Sequence, residues 1–406
     1  MSEKFDVAIV GGGMVGASLA VALAPLGLRV ALIEAQAFDA ATQPSFDERT
    51  TALSNASRRI LETLDVWNRL EGGATPIARI HVSDQGRFGF ARLDAREQGL
   101  PAMGFVVPNR ALGEALWTRL QHCTSVRTFC PAQLLQIHPG VAGAALEIKN
   151  AGGAVSHIEA RLVVAADGVH SAVRQAYGIA AESRDYGQTA VIATVVPQHF
   201  HDHVAYERFT EMGPLALLPI SDGRCTLVLT LASALATDAM AWTDADFLSE
   251  VQQRFGFRLG RFLKVGKRAA YPLSLTRSIQ TSAPGCVIVG NAAQALHPVA
   301  GMGFNLGLRD AACLAELLED IDCDDQSLRE AYDGWRAGDR QAIIAFTDGL
   351  VRVFASPLGA VRRLRNLALL TFDLLPPAKA ALSSLSTGAS ARIPKLARGV
   401  ALAMRS

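Results

Sequence analysis

Three glycines in "VGGGMVGASLA", at 11, 13 and 16, are the residues of this chain best suited to hold a phosphate. At Gly-x-Gly-x-x-Gly spacing, Gly11 allows a tight turn, Gly13 lets backbone approach a pyrophosphate, and Gly16 lets helix and strand pack closely. Val15, inside the same loop, is read with them as a cofactor contact. Glu34 stands 21 residues beyond Gly13, where a carboxylate accepts hydrogen bonds from ribose hydroxyls. An acid there disfavours a 2′-phosphate, so the pattern points to FAD or NAD and away from NADP.

Three further stretches carry similar chemistry. "GNAAQALHPVAGMGFNLGLRD", from Gly290 to Asp310, has little charge and bare glycines at 301, 303 and 307. A helix starting near Gly303 and running through Leu318 would bring N–H groups and the positive end of its dipole against something flat and electron-rich. A reduced isoalloxazine, negative beside N1 and the C2 carbonyl, fits. "RLVVAADGVHSAVR" delivers Asp167-Gly168 at a strand's carboxyl end, as a nucleotide crevice or a plain capped turn would require. Arg49 precedes a helical pattern at Leu53, Ala56, Ile60, Leu64 and Trp67, where a guanidinium reaches a phosphate or stays solvated.

The elements that position these groups are legible. Asp6–Val10 reads as a strand, Ala17–Leu26 as a helix ended by Gly27, and Arg29–Ile33 as a second strand. Leu162–Ala165 and Cys286–Val289 add two more apolar strands. Between Tyr186 and Tyr271 the pattern shifts to short strands at Ala205–Thr210, Leu215–Ile220 and Cys225–Leu231, with turn signals between them. The fold class is α/β: a Rossmann-like FAD-binding domain (1–78, 106–180 and 272–350) interleaved with an antiparallel-sheet substrate domain (79–105 and 181–271). A basic helical C-terminal region, 351–406, completes it.

Bulk properties set limits. With 406 residues, half of them apolar and 19% charged, the chain is globular and long enough for about two domains. A net charge of +1 gives no bias toward nucleic acid. The charge is uneven: nine Lys or Arg and one Asp lie from Val351 to Ser406, against 30 basic and 37 acidic groups elsewhere. There, Leu364, Leu367, Leu370 and Leu374 share a helical face behind Arg362, Arg363 and Arg365, suiting anionic lipid, a partner subunit or the chain's own domain equally. The uncharged 22 residues from Val7 to Leu28 hold Gly11-Gly12-Gly13, Gly16 and Pro25, which argues against a membrane span or signal segment. The six cysteines form no C-x-x-C pair and are read as reduced and cytoplasmic. His201-Asp202-His203 lacks a third ligand, so no metal is expected. His297 beside Pro298 is an acid–base group or, by preference, a structural histidine.

In their order and spacing, the three glycine-bearing motifs resemble the FAD-dependent aromatic hydroxylases related to para-hydroxybenzoate hydroxylase. "FDERTTAL", "HVSDQGRFGFARL", "YERFTEMGPLALLPISDGRCTLV", "GKRAAYPLSL" and the long Gly290–Asp310 segment narrow this to the ubiquinone-biosynthesis hydroxylases, the 2-polyprenyl-6-methoxyphenol hydroxylases most of all. The resemblance, from about Phe5 to about Val353, implies the following roles. Gly11, Gly13, Gly16 and Glu34 hold the ADP half of FAD; Arg49 and Arg110 contact the diphosphate region; Asp167 lines the cofactor. Asn291 meets the ribityl chain, and Pro298, Gly301, Gly303 and Asn305 border the flavin. It also implies oxygen transfer from a flavin C4a-hydroperoxide to a polyprenyl phenol. The partners are O2, NAD(P)H or an electron-donor protein, with a membrane surface, a biosynthetic complex or a homo-oligomer as settings; location is cytoplasmic or peripheral on the inner face of the membrane. Two positions depart from the broader pattern: Asn291 stands where Asp is usual and Met302 where Gln is usual. Hydroxylation of another ubiquinone precursor or a soluble phenol, and a non-catalytic flavoprotein scaffold, remain open. A halogenase would need an active-site lysine and tunnel motif that are not evident.

Overall fold

A computed structural model describes residues 2–38, 49–140, 143–355 and 392–404. The basic amphipathic stretch expected around Arg362 to Leu374 lies outside the described residues.

Strand Glu3–Val10 forms the centre of the first sheet. It pairs in parallel with Val30–Ile33 on one side and with Val155–Ala165 on the other. Val126–Phe129 and Cys286–Ile288 extend the parallel run outward. Such strands are covered on both faces and so read as unbroken apolar runs. Val7 and Ile9 point to a layer of helices, while Ala8 and Val10 point to the opposite layer, where hairpin strands Ala132–Gly140 and Gly143–Asn150 pack. The helix layer contains Met14–Leu23, Asn109–Leu120 and Met302–Asp320. The first helix begins at Met14 and stops as an α-helix at Leu23; Pro25, lacking an N–H, sits in a 3-10 turn, and Gly27 closes it with φ +76°.

The second sheet is built around the 17-residue strand Ala181–Pro197. Antiparallel neighbours run outward through Cys225–Ala232, Gly213–Pro219 and Val204–Thr210, and Arg79–Asp84 then joins in parallel. Alternation sorts its side chains. Leu215, Leu217, Leu227, Leu229 and Leu231 face helices Ser233–Ala241 and Asp244–Phe255. Pro214, Ala216, Leu218, Thr226, Val228 and Thr230 face a cavity on the other side. A small sheet of Thr50–Leu53, Gly104–Pro108 and Thr75–Ile77 lies between the two. The chain passes repeatedly from one large sheet to the other.

Candidate functional site

The cavity has a volume of about 850 Å³ and runs from the first glycine loop to the apolar sheet face. Gly11, Gly13, Val15 and Glu34 line one end. Gly16 lies behind that wall. A Cβ there would stand 1.9 Å from the Gly11 carbonyl oxygen, so any side chain would force loop and helix apart. Gly13 is the N-cap of helix Met14–Leu23. The Glu34 carboxylate is buried and accepts from the N–H groups of Gly12 (2.6 Å) and Gln36 (2.8 Å), which fixes it at the strand end facing the loop.

Asp167 follows strand Val155–Ala165. One oxygen accepts from the Val173 N–H at 3.2 Å; the other, Oδ1, is buried without a hydrogen-bond partner on the cavity wall. Arg174, the last residue of this motif, is a brace. Its buried guanidinium donates to the carbonyls of Val169 (2.9 Å) and Ala292 (2.8 Å), tying the Asp167 turn to the Gly290 turn. A buried arginine two turns from a glycine loop has no sequence signature beyond its position.

The segment Gly290–Asp310 bends around the cavity. Asn291, Pro298, Gly301 and Gly303 all line it. Gly301 takes φ +60°, the left-handed region that lets the chain turn straight into helix Met302–Asp320. A Cβ at Gly303 would meet nothing within 4 Å, leaving this helix start open toward the cavity. Gly307 serves a different purpose from the flavin contact expected of it. A Cβ there would stand 2.9 Å from Val15 and 3.0 Å from the Gly290 Cα, so it lets two glycine motifs touch.

Asn305 is absent from the cavity wall. Its Oδ1 accepts from the Ser54 N–H (2.8 Å) and the Ser57 hydroxyl (2.7 Å), and its Nδ2 donates to the carbonyls of Ala52 and Gly301 (both 2.8 Å). The amide holds strand Thr50–Leu53, helix Asn55–Thr63 and the Gly301 turn together. Asp310, fully buried, accepts from the N–H of Gly290 (3.3 Å), Gln294 (2.9 Å), Arg336 (2.8 Å) and Arg340 (3.2 Å). Burial works against its ionisation, but Arg340 and Arg336 outweigh it and hold the carboxyl below its usual range.

The other expected residues divide. Arg49 lines the cavity with its guanidinium 4.4 Å from the centre of the Tyr271 ring. Arg110 is exposed and off the cavity wall; its neighbour Asn109 is on it, accepting from the Thr51 hydroxyl at 2.7 Å. His297 is buried on the wall. Its Nδ1 accepts from the Val299 N–H (3.2 Å), the Tyr186 ring stands edge-on at 5.3 Å, and burial lowers its pKa to about 4. The ring is therefore neutral, with its proton on Nε2. His201 accepts from the His203 N–H (3.1 Å) through Nδ1 and lies 3.0 Å from the Ile220 carbonyl through Nε2, so it closes a turn.

Three features fit FAD: the glycine cradle facing Glu34, the orphaned Asp167 oxygen, and the open helix start at Gly303. Together with the parallel sheet they define a flavin-dependent oxidoreductase. The chain belongs to the FAD binding domain family, which it matches over residues 4–346. It is 36% identical to ubiquinone hydroxylase UbiL of Rhodospirillum rubrum, covering 98% of this chain and 93% of that one. It is 32% identical to 3-demethoxyubiquinol 3-hydroxylase of Escherichia coli, covering 92% and 95%. The fold is shared with p-nitrophenol 4-monooxygenase PnpA of Pseudomonas putida (TM-score 0.79, 17% identity, 96% of this chain and 99% of that one). Pseudomonas aeruginosa PqsL gives a TM-score of 0.75 at 21% identity, over 91% of this chain and all of that one. The chain is thus an FAD-dependent monooxygenase.

Proposed function

We propose that the protein hydroxylates the ring of a polyprenylated methoxyphenol in ubiquinone biosynthesis, with oxygen delivered from the flavin C4a position. The observation that carries this reading is the two-sided cavity. Dinucleotide-binding loops form one side, and an apolar sheet face long enough to lie along a prenylated ring forms the other. The ubiquinone hydroxylases among its relatives support the substrate class.

When bound, FAD supplies the reduction of O2 and carries the oxygen atom to be transferred. The chain's own residues do the rest. Glu34 and the glycine cradle would hold the adenosine and diphosphate. The N–H groups at Gly303 and the dipole of helix Met302–Asp320 would favour negative charge on a flavin bound there. Ala205, Ala216, Leu218, Val228 and Ile192 exclude water from the reacting ring. Reducing equivalents come from NAD(P)H or a donor protein. Among the described residues, no helix is long and apolar enough to cross a membrane.

The test is reduction of the FAD-loaded protein without oxygen, followed by air, with and without a prenylated methoxyphenol. The flavin spectrum and the product mass are recorded. A hydroxylated ring with little hydrogen peroxide is expected. Flavin reoxidation unaffected by any phenol, with peroxide as sole product, would refute the reading.

A further inference from the structure

One ionisable side chain on the apolar half of the cavity has no role so far. Glu207 lies on strand Val204–Thr210 and lines the cavity. Its register neighbours are Val82 and Ala216, and Val228 and Ile192 continue the same row across the sheet. Residues directly opposite one another share a face, so this carboxylate projects from a row of apolar side chains. Among the described residues, no hydrogen bond or ion pair reaches it. Burial alone pushes its pKa up to about 7.

Most of the surrounding charged groups are turned elsewhere or engaged. Arg208 points to the helix side and donates to the Arg254 carbonyl at 2.9 Å. His81 and Tyr206 pack against each other on that same side, 5.8 Å between ring centres. Asp84, opposite Phe209 at the end of its strand, shares the face of Glu207 but is buried, off the cavity wall and has a partner of its own. Asp348, on helix Gln326–Ala355, is engaged by Tyr186, Arg184 and Arg352. The other titratable residues whose side chains can face the cavity are Glu34, Arg49, Asp167, His170 and the neutral His297; Tyr206 borders it but turns its ring to the helix side. An unpaired carboxylate in an apolar wall is costly unless a ligand uses it.

We propose that Glu207 accepts the phenol proton of the substrate and makes the chamber selective for neutral phenols over aromatic acids; this rests on the hydroxylase reading above. The phenol O–H bond breaks, the proton passes to a Glu207 oxygen, and the electron pair stays on the phenol oxygen. From there it is released into the ring as a ring carbon takes up one atom of O2. The other atom leaves as water, using two electrons that NAD(P)H or a donor protein has placed on the flavin. Glu207 then returns its proton to the substrate oxygen while the ring carbon's own hydrogen departs to solvent. A substrate carboxylate would sit beside an uncompensated like charge, which disfavours it.

The experiment uses the FAD-loaded enzyme, a methoxyphenol with a single isoprene unit, and its ring-fluorinated, more acidic analogue. kcat and KM are measured from about pH 5.5 to about 9. In the wild type, kcat rises through an enzyme limb near pH 7 at the same position for both phenols. E207Q retains FAD and its visible spectrum, loses roughly 10²-fold in kcat with little change in KM, and loses that limb. The fluorinated phenol recovers much of the loss, and E207D recovers part of it. Wild-type kcat and pH profile in flavin-replete E207Q would overturn the proposal. So would an equal deficit with both phenols, or a wild-type limb that moves with phenol acidity, a measurement that holds even if E207Q does not fold. If the wild type hydroxylates neither phenol, the reaction reading itself fails and this proposal falls with it.

Discussion

Replacing Asn305 separates a structural amide from a cofactor contact. In Asn305→Ala four hydrogen bonds disappear. The Ser57 hydroxyl keeps company with Ser54 Oγ at 3.1 Å, but the buried Ser54 N–H is left without that acceptor. One orphaned donor costs about 1–3 kcal/mol and each of the other three bonds about 1, so the variant should lose roughly 4–6 kcal/mol. Asn305→Asp is more telling because the shape is kept. Its second oxygen would face the Ala52 and Gly301 carbonyls that now receive N–H donors at 2.8 Å. Ionised, it repels both; protonated, it donates to one. The folded-state pKa of this aspartate is therefore raised above the unfolded value. Its stability is full below the unfolded pKa, about 3.9, and is lost as pH rises through the folded pKa. Urea denaturation should show Asn305→Asp weaker than wild type by roughly 2–4 kcal/mol at about pH 8 and recovering toward about pH 5. FAD affinity should fall in parallel, since Gly301 loses its tether. Wild-type stability in Asn305→Ala, or an Asn305→Asp variant that gains stability with rising pH, would refute the reasoning.

Gly307→Ala should expel or weaken FAD, because the new methyl would stand 2.9 Å from Val15 and 3.0 Å from the Gly290 backbone. Gly338→Ala, with nothing within 4 Å, should keep FAD and gain up to about 1 kcal/mol from helix propensity, as flavin fluorescence and denaturation will report. His297 should stay neutral across the physiological range. With its folded pKa below the unfolded value, its contribution to stability is present above about pH 6.5 and is lost as pH falls toward about 4. An imidazole NMR resonance assigned to His297 and titrating near its ordinary value would contradict the burial argument.

The sequence announced the cofactor half through backbone requirements. Gly11, Gly13 and Gly16 must be bare for steric reasons, and steric reasons leave a mark at fixed spacing. The strand limits came within a few residues, as Val204–Thr210 for the expected Ala205–Thr210 shows. Side-chain assignments were less legible. Asn305 and Gly307 sit on the same glycine-rich helix start as Gly303, and one-dimensional proximity could not reveal that they turn toward Ser54 and Val15 while Gly303 turns toward the cavity. Glu207 carries no signal of its own, because "YERFT" places two charged residues side by side and hides the alternation. The neighbouring Leu215, Leu217 and Leu227, Leu229, Leu231 could have exposed it, since they fix the helix-facing side and leave Glu207 on the other once register is known. Arg174 gave no signal, because its partners are carbonyls from two separate loops.

The chain's repeated passage between the two large sheets leaves no single peptide bond whose cleavage would liberate a self-sufficient half. A protease nick in one exposed turn should leave both fragments clasped. Gene fragments encoding only the nucleotide-binding strands should yield insoluble product, because their missing neighbours are encoded between them, in the middle of the gene.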